Sequence, residues 1–229
     1  TARDEFIYHE MLAHVPLLAH GAAREVLIIG GGDGGLAEEV LKHQGVERVT
    51  LVELDRAVVD FARDHFDAMN AAAFGDPRLE VVIADGCRFA AETARRFDVV
   101  LIDSTDPIGP GAVLFTEAFY RDLARILNPG GVVATQNGVP FLQPREFQMG
   151  LGNLKRVFTG ATCYVIAVPT YFGGHMTLGF AGAPTPRPDL AALESRFDAA
   201  GLATRYYTPE VHAAAFALPR FIRDLRDEA

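Results

Sequence analysis

Cysteine is scarce: Cys87 and Cys163 are the only thiols in 229 residues. Two distant thiols make neither a disulfide framework nor a paired metal knuckle, and they read as buried or half-buried side chains. No apolar run approaches the roughly 18 residues that span a bilayer, and the first residues carry neither a basic n-region nor an apolar h-region. A cytoplasmic protein without a membrane partner is expected, and the opening on Thr1 rather than methionine suggests a trimmed N-terminus. Positive charge is also short. Lys and Arg number 21 against 30 Asp and Glu, a net charge of −9, which argues against a nucleic-acid partner and is compatible with a cationic one. His14, His20, His43, His65, His175 and His212 show no metal-ligand spacing, so no metal is expected. Ser104 lacks a nucleophile-elbow context, and no Ser-His-Asp or Cys-His arrangement is recognisable. Repeats and low-complexity stretches are absent too.

Apolar residues, at 49% of the chain, are plentiful enough for a full α/β core. The most informative stretch is Val26 to Gly35, an apolar run of strand length that breaks into glycines and enters a helical pattern. Gly30, Gly32 and Gly35 satisfy the spacing G-x-G-x-x-G, and Glu53 ends the next strand where ribose hydroxyls would be held. The bare loop leaves a nicotinamide and a sulfonium cofactor equally open. Periodicity predicts a helix over Thr1 to Leu18, strands at Glu25–Ile29, Arg48–Leu54, Leu79–Ile83, Phe97–Ile102 and Val132–Gln136, and helices between them. Asn128-Pro129-Gly130-Gly131 is read as the stop after a helix over Phe115 to Leu127. Thr162–Val168 and Met176–Ala181 are close enough to form an antiparallel hairpin. Proline-rich Ala183 to Pro188 reads as an exposed connection, followed by helices over Asp189–Ala200 and Pro219–Glu228.

Five parallel strands and an edge hairpin, with helices on both faces, make an α/β Rossmann-like fold of the methyltransferase type. Residues 1–229 read as one catalytic domain, with a core over about 20–182 and a C-terminal helical extension over 183–229. An acid follows nearly every strand: Asp33, Glu53 with Asp55, Asp85, and Asp103 with Asp106. Asp55 reads best as a helix N-cap. The convergence of so many acids on one rim calls for a cation to offset their repulsion. The loop from Ser104 to Leu114, with two prolines and two glycines, has the composition of a lid.

Tyr8-His9-Glu10-Met11, Gly30-Gly31-Gly32-Asp33-Gly34-Gly35, Val52-Glu53-Leu54-Asp55, Asp85-Gly86, Asp103-Ser104-Thr105-Asp106-Pro107, Gln136-Asn137-Gly138 and Pro169-Thr170-Tyr171 occur in one order from end to end. As a set they resemble the spermidine synthase family of polyamine aminopropyltransferases, its bacterial members above all. Family members usually carry a β-rich segment ahead of the Tyr8 motif, and this sequence shows none. The resemblance implies transfer of an aminopropyl group from decarboxylated S-adenosylmethionine to putrescine, giving spermidine and methylthioadenosine. It implies no prosthetic group, and a homodimer or homotetramer as the assembly. Donor contacts would come from Asp33, Glu53, Asp85, Gly86 and Pro110. Acceptor contacts would come from Tyr8, His9, Asp103, Ser104, Thr105, Asp106, Gln136 and Tyr171, with Asp103 as the catalytic carboxylate.

Residue chemistry bears on the same choice. A carboxylate at Asp33 repels the carboxylate of intact S-adenosylmethionine and attracts the ammonium of a decarboxylated tail. At its reference pKa of ~3.9, Asp103 is a poor proton acceptor from an amine, so it is expected to orient the amine and pass the proton onward. The competing readings are an S-adenosylmethionine-dependent methyltransferase and a nucleoside-binding core with impaired catalysis. Depth of the cleft, rather than any motif, selects among putrescine, cadaverine, agmatine and spermidine.

Overall fold

A computed structural model describes residues 1–107, 109–182 and 188–229, without the side chains at positions 67, 68 and 110. The expected connection at Ala183 to Pro188 therefore lies outside the described residues apart from Pro188. Seven strands form one sheet in the order β3-β2-β1-β4-β5-β7-β6. They are β1 (Glu25–Gly30), β2 (Arg48–Glu53), β3 (Leu79–Ile83), β4 (Phe97–Asp103), β5 (Leu127–Gln136), β6 (Thr162–Ile166) and β7 (Met176–Gly182). The first five are parallel, and β7 runs antiparallel to both β5 and β6. The strand interiors are continuous apolar runs because helices cover both faces. On one face lie α1 (Glu5–His20), α2 (Gly35–Leu41), α3 (Arg56–His65), α4 (Asp67–Gly75), α8 (Leu190–Ala200) and α9 (Pro209–Ala215). The other face carries α5 (Gly86–Glu92), α6 (Glu117–Ile126), α7 (Pro144–Val157) and α10 (Arg220–Glu228). Among the described residues no helix is long and apolar enough to cross a membrane.

Most strand limits expected from periodicity lie within a residue or two of those observed. The region before β5 differs. The chain enters the strand at Leu127, with no separate stop over Asn128 to Gly131. Phe97 pairs with Leu127 and Val99 with Val132, so the extra residues bulge out of the ladder. The side-chain amide of Asn128 donates to Asp98 Oδ1 at 2.7 Å and pins that bulge to β4. Two helices, α4 and α9, carry no clear apolar period and escape the sequence reading. Asp55 caps α3 as expected, accepting from the Ala57 backbone at 2.8 Å. Both thiols are inert by environment: burial pushes Cys87 up to about 11 and Cys163 up to about 12.

Helix α1 packs across β4, β5 and β6, so its polar residues are held inside the protein. Glu10, 1% exposed, accepts from the backbone N–H groups of Arg205, Tyr206 and Tyr207 at 2.7–2.8 Å. These three bonds compensate a buried carboxylate and dock the C-terminal helices against the helix that carries Tyr8 and His9.

Candidate active site

The site is built where β1, β2, β3, β4 and β5 end. Gly30 pairs with Asp103 at the ends of β1 and β4, and a Cβ on Gly30 would lie 2.0 Å from the Asp103 carbonyl oxygen. Gly30 also has φ of +83°, which an L side chain rarely adopts. The next glycines make room for the site's own side chains. A Cβ on Gly32 would strike Glu53, and one on Gly35 would lie 2.4 Å from the His9 ring. The glycine loop is thus required by packing against Asp103, Glu53 and His9. Asn70 of α4, fully buried, braces the loop from behind by donating to the Asp33 carbonyl at 2.6 Å.

Two cavities meet here. The narrower, 240 Å³, lies between Ile29, Val52, Leu54, Val113 and Leu114, with Glu53, Asp85 and Gly86 at its polar edge. The wider, 600 Å³, is lined by Tyr8, His9, Asp33, Asp106, Gln136 and Tyr171, together with Glu5, Val168 and Met176. Glu53, Asp103, Ser104 and Thr105 line both, so the cavities are two lobes of one cleft with Asp103 at the junction. Asp33, expected among the donor contacts, faces the wider lobe next to this junction. The Pro110 side chain lies outside the described residues, as does Ile108 of the expected lid. The rest of that loop enters a 3-10 turn, Gly109–Phe115, whose Gly111, Val113 and Leu114 cover the narrower lobe.

Each carboxylate has a distinct setting. Glu53 accepts from the backbone N–H of Gly32 at 3.1 Å and of Asp55 at 3.0 Å, which holds it at the mouth of the narrow lobe. Asp85 caps α5, accepting from Arg88 at 3.0 Å. Asp33 spends one oxygen on the Gly35 N–H at 3.0 Å, and its other oxygen lies 3.9 Å from His9 Nε2. Asp103 accepts from the Tyr8 hydroxyl at 2.9 Å. Burial first, and then the nearby Asp33 charge, push Asp103 up to about 6. This departs from the expectation of a reference-like carboxylate, because packing against the glycine loop leaves Asp103 half-buried and takes away part of its water.

His9 bonds Glu5 Oε2 through Nδ1 at 2.8 Å. Burial alone would lower its pKa, but Glu5 and the Asp33 and Asp103 charges raise it above the ordinary histidine value. Among the described residues, His9, Asp33 and Asp103 each offer a ligand atom within 4.8 Å of the others, a grouping suited to a bound cation. Tyr171 lies on the loop between β6 and β7. Asp4 ties that loop to the start of α1, accepting from the Thr170 N–H and hydroxyl at 2.9 and 2.6 Å. Asp106 is held by two amides, Gln136 at 3.0 Å and Gln143 at 2.7 Å.

Glu5, Asn70 and Gln143 were not singled out from the sequence. Glu5 and His9 stand at i and i+4 of one helix, a spacing that could have revealed the pair. Asn70 and Gln143 reach their partners from 37 residues away in sequence, and no local pattern marks them.

The sequence matches the family described as the spermine/spermidine synthase domain over residues 5–186. It is 56% identical over 227 residues to the polyamine aminopropyltransferase of Ruegeria sp. (strain TM1040), covering 98% of this chain and 80% of that one. Polyamine aminopropyltransferase 1 of Pseudomonas aeruginosa is 53% identical over 224 residues, covering 97% and 78%. Among solved structures, a spermidine synthase in complex with the transition-state analogue AdoDATO superposes with a TM-score of 0.93 at 38% identity, over 99% of this chain and 77% of that one. Spermidine synthase from Thermotoga maritima gives 0.89 at 36% identity, over 98% and 75%.

Proposed function

We propose that this chain, which belongs to the spermine/spermidine synthase family, transfers the aminopropyl group of decarboxylated S-adenosylmethionine to putrescine, releasing spermidine and methylthioadenosine. The observation that carries the reading is the placement of Asp103 where an apolar lobe meets an acidic one. The narrow lobe suits a nucleoside: apolar walls for the base, Asp85 at its edge and Glu53 for the ribose. Asp33, Asp103 and Asp106 line the other lobe, which suits a diamine and the cationic tail of the donor. A methyl transfer has no use for three carboxylates on that wall.

In the proposed reaction the lone pair of a neutral amine attacks the carbon beside the sulfonium. The C–S bond breaks with its electron pair going to sulfur, and the attacking nitrogen, which gave up its one proton beforehand, ends as the secondary ammonium of the product. Neutralising an amine of pKa ~10.4 at pH 7 costs roughly 4.6 kcal/mol. Asp103, lifted toward 6, is a better proton acceptor than an ordinary aspartate, and the Tyr8 hydroxyl fixes its orientation. The donor's sulfonium, in a site shielded from water, also lowers the pKa of a neighbouring amine. Alignment of the two substrates supplies most of the acceleration, with no covalent enzyme intermediate.

Turnover at saturating substrates is expected to rise with pH in two stages. It first climbs as Asp103 loses its proton around pH 6, then continues as the neutral amine fraction grows toward ~10.4. Initial rates across pH 5 to 9 read this, and a flat profile from pH 6 to 9 would count against amine deprotonation limiting the rate. The same reading treats residues 1–229 as one catalytic unit, supported by the docking of residues 205–207 on Glu10. It places the protein in the cytoplasm as a homodimer or homotetramer, which light scattering after size exclusion tests.

A further inference from the structure

Gln143 stands at the residue before α7, the N-cap position, yet its side chain makes no capping bond to that helix. It is used elsewhere. Its Oε1 accepts from the Val139 backbone N–H at 3.0 Å, and its Nε2 donates to Asp106 Oδ2 at 2.7 Å. A backbone N–H can only donate, so the amide orientation is determined and Nε2 must face the carboxylate. On the other side Gln136, at the end of β5, donates to Asp106 Oδ1 at 3.0 Å. Asp106 is therefore gripped at both oxygens from two elements, although it sits in the loop after β4.

We propose that Gln143 is a positioning residue for the acceptor amine: it holds the Asp106 carboxylate toward the wide lobe while leaving its negative charge uncancelled. The inference rests on the aminopropyl-transfer reading above and deepens it. Two neutral amides matter here. An Arg or Lys in the same place would fix Asp106 equally well but would cancel the charge that attracts a dication. Each carboxylate oxygen has a second lone pair, so one acceptor site per oxygen remains for an ammonium. The anchoring of Oε1 to Val139 makes the hold rigid, because it couples Asp106 to the turn between β5 and α7.

The test is the dissociation constant of putrescine in the presence of methylthioadenosine, measured by calorimetry, beside the steady-state KM and kcat. Gln143→Glu keeps an oxygen for the Val139 N–H, loses the donor to Asp106 and sets a second carboxyl against Asp106 Oδ2, where repulsion displaces Asp106 or a shared proton leaves the pair with no gain in charge. Gln143→Leu loses both contacts. Both variants are expected to weaken putrescine about tenfold in Kd and KM, with kcat and methylthioadenosine affinity within about twofold of the parent. In an Asp106→Asn background, Gln143→Leu is expected to add less than twofold, because its effect runs through Asp106. A merely structural role would lower the melting temperature and add the same factor in both backgrounds. That result, or putrescine binding unchanged in both single variants of an active parent, would overturn the proposal. A parent that turns over no diamine would instead sink the aminopropyl-transfer reading, and the binding measurement keeps the two failures distinct.

Discussion

Asp103→Asn is expected to lower turnover at least a hundredfold while methylthioadenosine binds within about threefold of the parent. The asparagine keeps an oxygen to accept the Tyr8 hydroxyl, now at 2.9 Å, so the local geometry survives. What goes is the charge that, in the proposed mechanism, orients the amine and receives its proton. A hundredfold loss corresponds to about 2.7 kcal/mol of transition-state stabilisation, reasonable for removing a group that acts in positioning and in proton transfer together. The melting temperature should stay the same or rise, since burial and the Asp33 charge disfavour the ionised Asp103 in the folded protein. Loss of function without loss of stability is a common signature of a site residue. Rapid-mix turnover, calorimetry with methylthioadenosine and thermal melting read the three quantities. A variant retaining more than a tenth of parental turnover would remove Asp103 from the mechanism.

Asp33→Asn is expected to change donor choice. The Asp33 oxygen that accepts from Gly35 has an equivalent in asparagine, so the glycine loop should hold its shape. The other oxygen, beside His9 and open to the wide lobe, loses its charge. A unit-charge contact at ~4 Å is worth roughly 4 kcal/mol at an effective dielectric near 20. With the Asp33 side chain 37% exposed, salt and solvent reduce this. The expected outcome is a shift of about ten- to a hundredfold, or roughly 1.4 to 2.8 kcal/mol, in the affinity ratio of the decarboxylated donor to intact S-adenosylmethionine. The shift should be larger at low salt. Calorimetry of both ligands with parent and variant checks it. An unchanged ratio would mean that the shape of the cleft, not its charge, selects the donor.

The legible part of this protein is the part written locally. The strands of the parallel sheet are buried on both faces and read as apolar runs, so β1, β2, β3 and β4 were bounded closely. Acids at strand ends fall on one rim by topology alone, which is why the sequence suffices to group Asp33, Glu53, Asp85, Asp103 and Asp106. The bulge at Asn128 to Gly131 is not legible in the sequence, because a proline and two glycines carry the same local signal whether they end a helix or kink a strand. Helices α4 and α9 were missed for want of an apolar period, and with α4 went Asn70, the brace behind Asp33.

By itself the sequence determined the sheet and the acidic rim, because each depends on residue type and spacing along the chain, while the family chemistry came through the resemblance that its motifs carry. Tertiary structure alone decided how each acid is held. Residue type does not separate Asp103 from Asp106, two carboxylates three residues apart, and only the family resemblance gives them different roles. In the fold, Asp103 is pressed against Gly30 and Gly31 beneath the Tyr8 hydroxyl and raised toward 6. Asp106 is instead gripped by two neutral amides. Desolvation and hydrogen bonding depend on what packs around a group, and those neighbours come from β1, α1, β5 and the turn before α7. Only folding brings them within reach.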